Sequence, residues 1–185
     1  MLKEIVKKIP AVSSIFVKLK NAKYSFATLI SPRWNTQMRY KSAFGKKLDL
    51  NNPQTLNEKV LWLKLNTYYK NPLVIQCADK FAVRQYVTDC GCEEILIPLI
   101  GAWEEPEQIP WDELPESFVL KWNFGAGMNI VCTDKSQLDR EKTIKQLKKW
   151  GKCKYWLPHS EMQYKYIPRK IVCEELLRNE EVGEQ

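Results

Sequence analysis

The chain has 185 residues, 44% of them hydrophobic and 28% charged, a balance that excludes a disordered chain and leaves room for one ordinary domain or two small subdomains with a packed core. The formal charge of +7 is uneven: residues 1–49 hold eleven Lys/Arg against Glu4 and Asp49, and residues 50–185 hold eighteen against twenty acids, which argues against nucleic acid as a partner. No run approaches the roughly 20 apolar residues that span a bilayer, and lysines interrupt the N-terminus where a secretory signal would need a compact apolar stretch, so the expected location is the cytoplasm.

In residues 2–19 the apolar positions Leu2, Ile5, Val6, Ile9, Val12, Ile15, Phe16 and Leu19 recur at spacings of three and four beside Lys3, Lys7, Lys8, Lys18 and Lys20, which predicts an amphipathic helix kinked or divided by Pro10. Its apolar face either packs on the rest of the protein or, through residues 1–20, contacts an anionic membrane surface from the inner side. Residues 21–50 show no periodicity and are expected to form a basic connector dotted with aromatic side chains. Thr55-Leu56-Asn57-Glu58 has the pattern of a capping box and predicts a helix over 56–66 with Leu56, Val60, Leu63 and Trp62 inward. A second helix is expected over 79–89, with Phe81, Val83, Tyr86 and Val87 buried and Gly91 ending it.

Ile95 to Gly101 reads as a short strand that Pro98 places at an edge or a bend. Glu104 to Glu116 is rich in proline and acids and reads as a connector. Ser117 to Trp122 and Asn129 to Thr133 have strand composition around the glycine-containing turn Asn123–Met128. A basic amphipathic helix over 136–150, with Leu138, Ile144, Leu147 and Trp150 inward, precedes a last strand at Ile171–Glu174. Six cysteines without a CxxC pair and a single histidine, His159, leave no pattern for a zinc site and read as reduced, mainly buried thiols.

Three features carry chemistry. Lys121 stands in an apolar strand, where an ammonium needs a partner because unpaired burial costs several kcal/mol; a polyphosphate would supply one. The loop Phe124-Gly125-Ala126-Gly127-Met128 follows it, and its small residues let backbone amides approach an anion. A β-hairpin with a glycine turn and a lysine on its wet face accounts for the same residues. Ala78-Asp79-Lys80 opens a helix, where an aspartate near a helix start and a solvated lysine are the ordinary alternative. Glu174 and Glu175 end a strand where a chain leaving a sheet can offer a carboxylate and backbone groups to an adenosine, or can simply be solvated.

The order of these features, with Pro53 to Lys64, Val83-Arg84-Gln85-Tyr86-Val87, Pro115 to Asn129 and Tyr164 to Ile171, resembles the TupA-like ATP-grasp family of teichuronopeptide and capsular polysaccharide biosynthesis, over about residues 46–180. Behind the basic amphipathic helical extension read at 1–45, the resemblance implies an α/β (α+β) chain with a small α/β segment at 46–115 and, at 116–185, the first, nucleotide-binding lobe of an ATP-grasp fold with an antiparallel sheet.

It further implies that Lys80 and Lys121 contact the phosphates of ATP, that Phe124, Gly125, Ala126, Gly127 and Met128 close over them, and that Glu174 and Glu175 hold the adenosine. The implied reaction is ATP-dependent joining of a carboxylate and an amine on a uronic-acid or amino-acid bearing polysaccharide precursor. Mg2+ ligands are expected in a C-terminal half beyond the strand at 171–174, so that the catalytic residues are not specified and the chain is expected to be incomplete or inactive alone. A glycosyltransferase-like protein of the same pathway and a noncatalytic interaction module are the alternatives; the first lacks an Asp-x-Asp sequence to hold its metal.

Overall fold

The structure, a computed structural model, describes residues 10–177. They form two compact units: one holds the residues up to Asn71 together with Lys154–Lys165, and the second holds Pro72–Cys153 together with the residues from Tyr166 onward. Helices and a four-stranded antiparallel sheet give the expected α+β class. Among the described residues no helix is long and apolar enough to cross a membrane.

The first unit is helical. Helix α1 spans Pro10–Ile30 and α2 spans Pro32–Phe44. This corrects the expectation of a connector over 21–50. The apolar repeat marks α1 only as far as Leu19, and beyond it the apolar positions lie on two faces, while local signals bound α2: Ser31 accepts from the Trp34 N–H, Pro32 stands in the first turn and Gly45 closes the end at φ 71°. Pro10 stands at the first described helical position, and residues 1–9 of the predicted amphipathic segment lie outside the described residues.

Helix α3, Leu56–Asn66, has both halves of its capping box: Thr55 Oγ1 accepts from the Glu58 N–H at 3.3 Å and Glu58 Oε2 accepts from the Thr55 N–H at 3.0 Å. Its inward face differs from the expectation, since Leu56, Val60 and Trp62 are exposed. Glu58 also accepts from the Tyr40 hydroxyl at 2.7 Å and is buried. That bond turns Leu61 and Leu65, three and seven residues on, toward the cluster of Tyr40, Leu48 and Leu50.

Short helix α4, Pro72–Ala78, opens the second unit, and α5, Val83–Asp89, follows after a turn; Tyr86 is exposed rather than buried. Strand β1 spans Leu99–Trp103, later than expected, because Glu93–Ile95 forms a 3-10 turn and pairing begins only after Pro98. Strands β2, Phe118–Trp122, β3, Asn129–Cys132, and β4, Ile171–Glu175, complete a sheet of order β1-β4-β2-β3, every neighbouring pair antiparallel. β1 is an edge strand, as Pro98 suggests.

Phe118, Leu120 and Trp122 point to one face, which helix α6, Arg140–Gly151, covers through Leu147. The Trp122 indole N–H donates to the Leu147 carbonyl at 3.0 Å, and a Cβ on Gly151 would stand 2.7 Å from the Trp122 ring, so only glycine lets the helix approach this closely. The acidic connector is not merely exposed: Ile109, Trp111 and Leu114 are core residues. Cys132 and Cys173 are buried thiols, whereas Cys77, Cys90 and Cys153 are exposed, so burial accounts for fewer cysteines than expected. Helix α7, Trp156–His159, belongs to the first unit.

Candidate functional site

The opposite face of the sheet in the second unit carries the charge. Alternation along β2 sends Val119 and Lys121 away from α6. Val119 faces Glu174 across the β2–β4 ladder, which brings Lys121, two residues on, diagonal to Glu174 on the same face. Lys121 Nζ pairs with Glu174 Oε2, so a carboxylate supplies the partner that the sequence argument demanded. Glu174 is 5% exposed and also receives Arg84 Nη1 of α5 at 3.4 Å.

The turn before α5 adds a third cation. Asp79 Oδ1 accepts from the backbone N–H groups of Phe81 at 2.8 Å and Ala82 at 3.2 Å, and the Asp79 carbonyl accepts from the Val83 N–H. This helical turn sets Lys80 and Arg84, four residues apart, on one side. Lys80 Nζ donates to the Gly125 carbonyl, tying the turn to the glycine loop. Burial, and then the like charge of Lys121, push the Lys80 ammonium below its ordinary range, while Asp79 and Glu174 oppose the shift.

Asn123 joins these pieces. It is fully buried; its Nδ2 donates to Asp79 Oδ1 and to the Pro168 carbonyl, both at 2.8 Å, and its Oδ1 accepts from the Lys170 N–H at 2.8 Å. Its backbone N–H donates to the Lys170 carbonyl and its own carbonyl accepts from the Lys80 N–H, both at 2.9 Å. Neither Asn123 nor Arg84 was expected as a site residue. The four-residue spacing from Lys80 is the sequence signal for Arg84, whereas nothing local to the sequence marks Asn123.

The loop is anchored at both flanks and open at its tip. Phe124 is buried, 5.6 Å from the Trp122 ring and 4.9 Å below the Arg169 guanidinium. Met128 is buried and its carbonyl accepts from the Trp122 N–H at 3.1 Å. Ala126 and Gly127 are exposed. Gly125 and Gly127 adopt φ of 71° and 73°, and a Cβ on Gly127 would meet nothing within 4 Å, so left-handed backbone rather than crowding calls for glycine at Gly127. Glu175 is exposed at the strand end, where its N–H donates to the Pro98 carbonyl at 3.1 Å.

The residues expected at the site therefore divide. Lys80, Lys121, Gly125 and Glu174 are brought together with Arg84; Phe124 and Met128 serve as anchors; Ala126 and Gly127 form the exposed tip; Glu175 stands outside the ion-pair cluster.

Against this geometry, the family model for TupA-like ATPgrasp matches residues 58–184. The chain belongs to the TupA-like ATP-grasp family. The match takes in α3 from Glu58 onward, the Lys80 turn, the glycine loop and β4. No curated protein and no solved structure matches the chain.

ATP-grasp proteins generally bind ATP with Mg2+. The donor set here fits the polyphosphate: three cationic side chains face two carboxylates beside a loop with exposed backbone at its tip. It does not fit the metal, because Asp79 is committed to three N–H donors and Glu174 to two cations, and among the described residues no three His, Cys, Asp or Glu are grouped to hold an ion.

Proposed function

We propose that the second unit is a nucleotide-binding lobe in which Lys80, Arg84 and Lys121 hold the phosphates of ATP, the Gly125-Ala126-Gly127 tip closes over them, and Glu175 with the adjoining backbone of the strand end takes the adenosine. The observation that carries this reading is the convergence of Arg84 and Lys121 on the buried Glu174 carboxylate, next to the loop to which a third cation, Lys80, is bonded. Glu174 spaces and orients Lys121 and Arg84, so the cations are held in place before a ligand arrives, which lowers the ordering cost of binding. Preorganised positive charge of this kind also stabilises a transferring phosphoryl group.

The family membership supports placing this lobe in an ATP-dependent carboxylate–amine ligase of bacterial cell-surface polysaccharide biosynthesis, teichuronopeptide or capsule, with a uronic-acid or amino-acid bearing precursor as acceptor. A competition experiment tests the nucleotide reading. Fluorescent ATP bound to the chain is displaced by ATP and not by a UDP-sugar on this account; displacement by the UDP-sugar alone would support a glycosyltransferase-like role instead.

A further inference from the structure

Helix α1 presents a second apolar face, one that does not enter the first unit. Tyr24, Ala27 and Thr28 are its buried residues, and residues 15–23 are exposed. At 3.6 residues per turn, Ile15, Leu19, Phe26, Leu29 and Ile30 fall within about 100° of arc on the side away from Tyr24 and Thr28. These five side chains are 59 to 65% exposed, and they form a stripe roughly 22 Å long at 1.5 Å per residue. Lys18 and Lys23 flank the stripe on its two sides, and Lys20 lies beyond Lys23.

Charge chooses between the surfaces that could cover such a stripe. From Ile5 to Leu48 the chain has ten Lys/Arg and no Asp or Glu. A second copy laid stripe to stripe would bring two sets of Lys18 and Lys23 together without a carboxylate on either helix, an arrangement that like-charge repulsion opposes. An anionic bilayer surface instead accepts the apolar side chains below its headgroups while the lysine stems snorkel upward to lipid phosphates and carboxylates.

We propose that the exposed stripe of α1 is a docking face for an anionic membrane surface, with Ile15, Leu19, Phe26, Leu29 and Ile30 entering the interface, Lys18 and Lys23 contacting the headgroups, and Lys20 adding its charge from behind Lys23. The helix lies in the plane of the surface and does not cross it. This inference is independent of the nucleotide reading, since it uses only the first unit. It extends the apolar contact ten residues beyond the N-terminal segment in which the sequence suggested one.

Sedimentation of the full chain with phosphatidylcholine vesicles, with and without phosphatidylserine, tests it. The expected result is binding only to vesicles that contain phosphatidylserine, falling as salt rises. Leu19→Asp with Phe26→Asp should abolish it. Lys18→Gln, Lys20→Gln and Lys23→Gln together should weaken it on the order of a hundredfold, at about fivefold per lysine.

All five positions are exposed, so circular dichroism and melting temperature should be unchanged in both variants. Equal binding to both vesicle types, or to neither, would overturn the proposal. So would a dimer of the unmodified chain that Leu19→Asp with Phe26→Asp converts to monomer, or a marked fall in melting temperature on those substitutions, because each would mean that protein covers the stripe.

Discussion

Two buried asparagines, one in each unit, show how differently the units use polar groups. Asn123 engages both ends of its amide, donating to Asp79 and Pro168 and accepting from Lys170. Asn35 engages one end: its Nδ2 faces Thr28 Oγ1 at 2.6 Å, Ser160 Oγ at 2.9 Å and the Pro158 carbonyl at 3.2 Å, while its Oδ1 has no partner. Around Asn35 the hydroxyls largely satisfy each other: Thr28 donates to the Leu157 carbonyl at 2.6 Å, which leaves Ser160 to donate to Thr28 at 2.8 Å. The lesson is that a fully committed amide fixes three separate chain segments at the candidate site, whereas a half-committed one sits in a network that holds without it.

That contrast can be broken by substitution. Asn123→Ala leaves Asp79, Pro168 and Lys170 short of buried partners and should cost about 3–5 kcal/mol, at roughly 1–3 kcal/mol per orphaned group. Asn35→Ala removes a side chain whose acceptor is already orphaned and should cost only about 1–2 kcal/mol. Urea denaturation of both variants checks the order; an equal or larger loss at Asn35 would contradict it.

Glu174→Ala is expected next, at about 3 kcal/mol, because Lys121 and Arg84 lose the carboxylate that neutralises them in a half-buried setting. The same denaturation assay measures it, and the Glu174→Ala/Lys121→Met double variant should recover part of the loss. No recovery would mean that the pair is not coupled.

The remaining effects appear only away from neutral pH and sharpen the picture of the first unit. N–H donation from Thr55, the Tyr40 hydroxyl and N–H donation from Gln54 lower the Glu58 carboxyl from 4.5 to about 2. Between those values the unfolded chain binds the extra proton, so stability falls as pH drops from about 4.5 to about 2. Burial lowers the Lys64 ammonium from 10.5 to about 8 against the opposing effect of Glu161. Here the unfolded chain again binds more protons between the two values, so stability rises as pH climbs from about 8 to about 10.5. Glu58→Gln should flatten the acid limb and Lys64→Met the alkaline limb of a stability–pH curve; limbs that persist in both variants would assign them to other groups.

What the sequence made legible follows from the range of the forces involved. The Thr55–Glu58 capping box, the hairpin around Asn123–Met128 and the strand at Ile171 are written in local spacing and alternation, and each is found where expected. The inward face of α3 was misread because a bond from Tyr40, eighteen residues away, sets its rotation. Helices over residues 21–44 were missed because α1 is apolar on two faces, so its buried side is not the only periodic one. At the site, Lys121 is legible as a cation in an apolar strand, whereas Lys80 and Glu174 have ordinary local settings and are marked only by the order of the motifs around them. Asn123 is not legible, because its role is written in contacts 44 to 47 residues away along the chain.

The central claim, that three cations gathered at the glycine loop bind nucleotide phosphates, is tested most directly by calorimetric titration of the chain with ATP, with and without Mg2+, alongside Lys80→Ala, Arg84→Ala and Lys121→Ala. Loss of one charge-assisted contact is worth about 1.5–3 kcal/mol, so each folded variant should bind on the order of tenfold to a hundredfold more weakly, with Arg84 ranking beside the two lysines. ATP affinity unchanged in a folded Lys121→Ala chain would contradict the account.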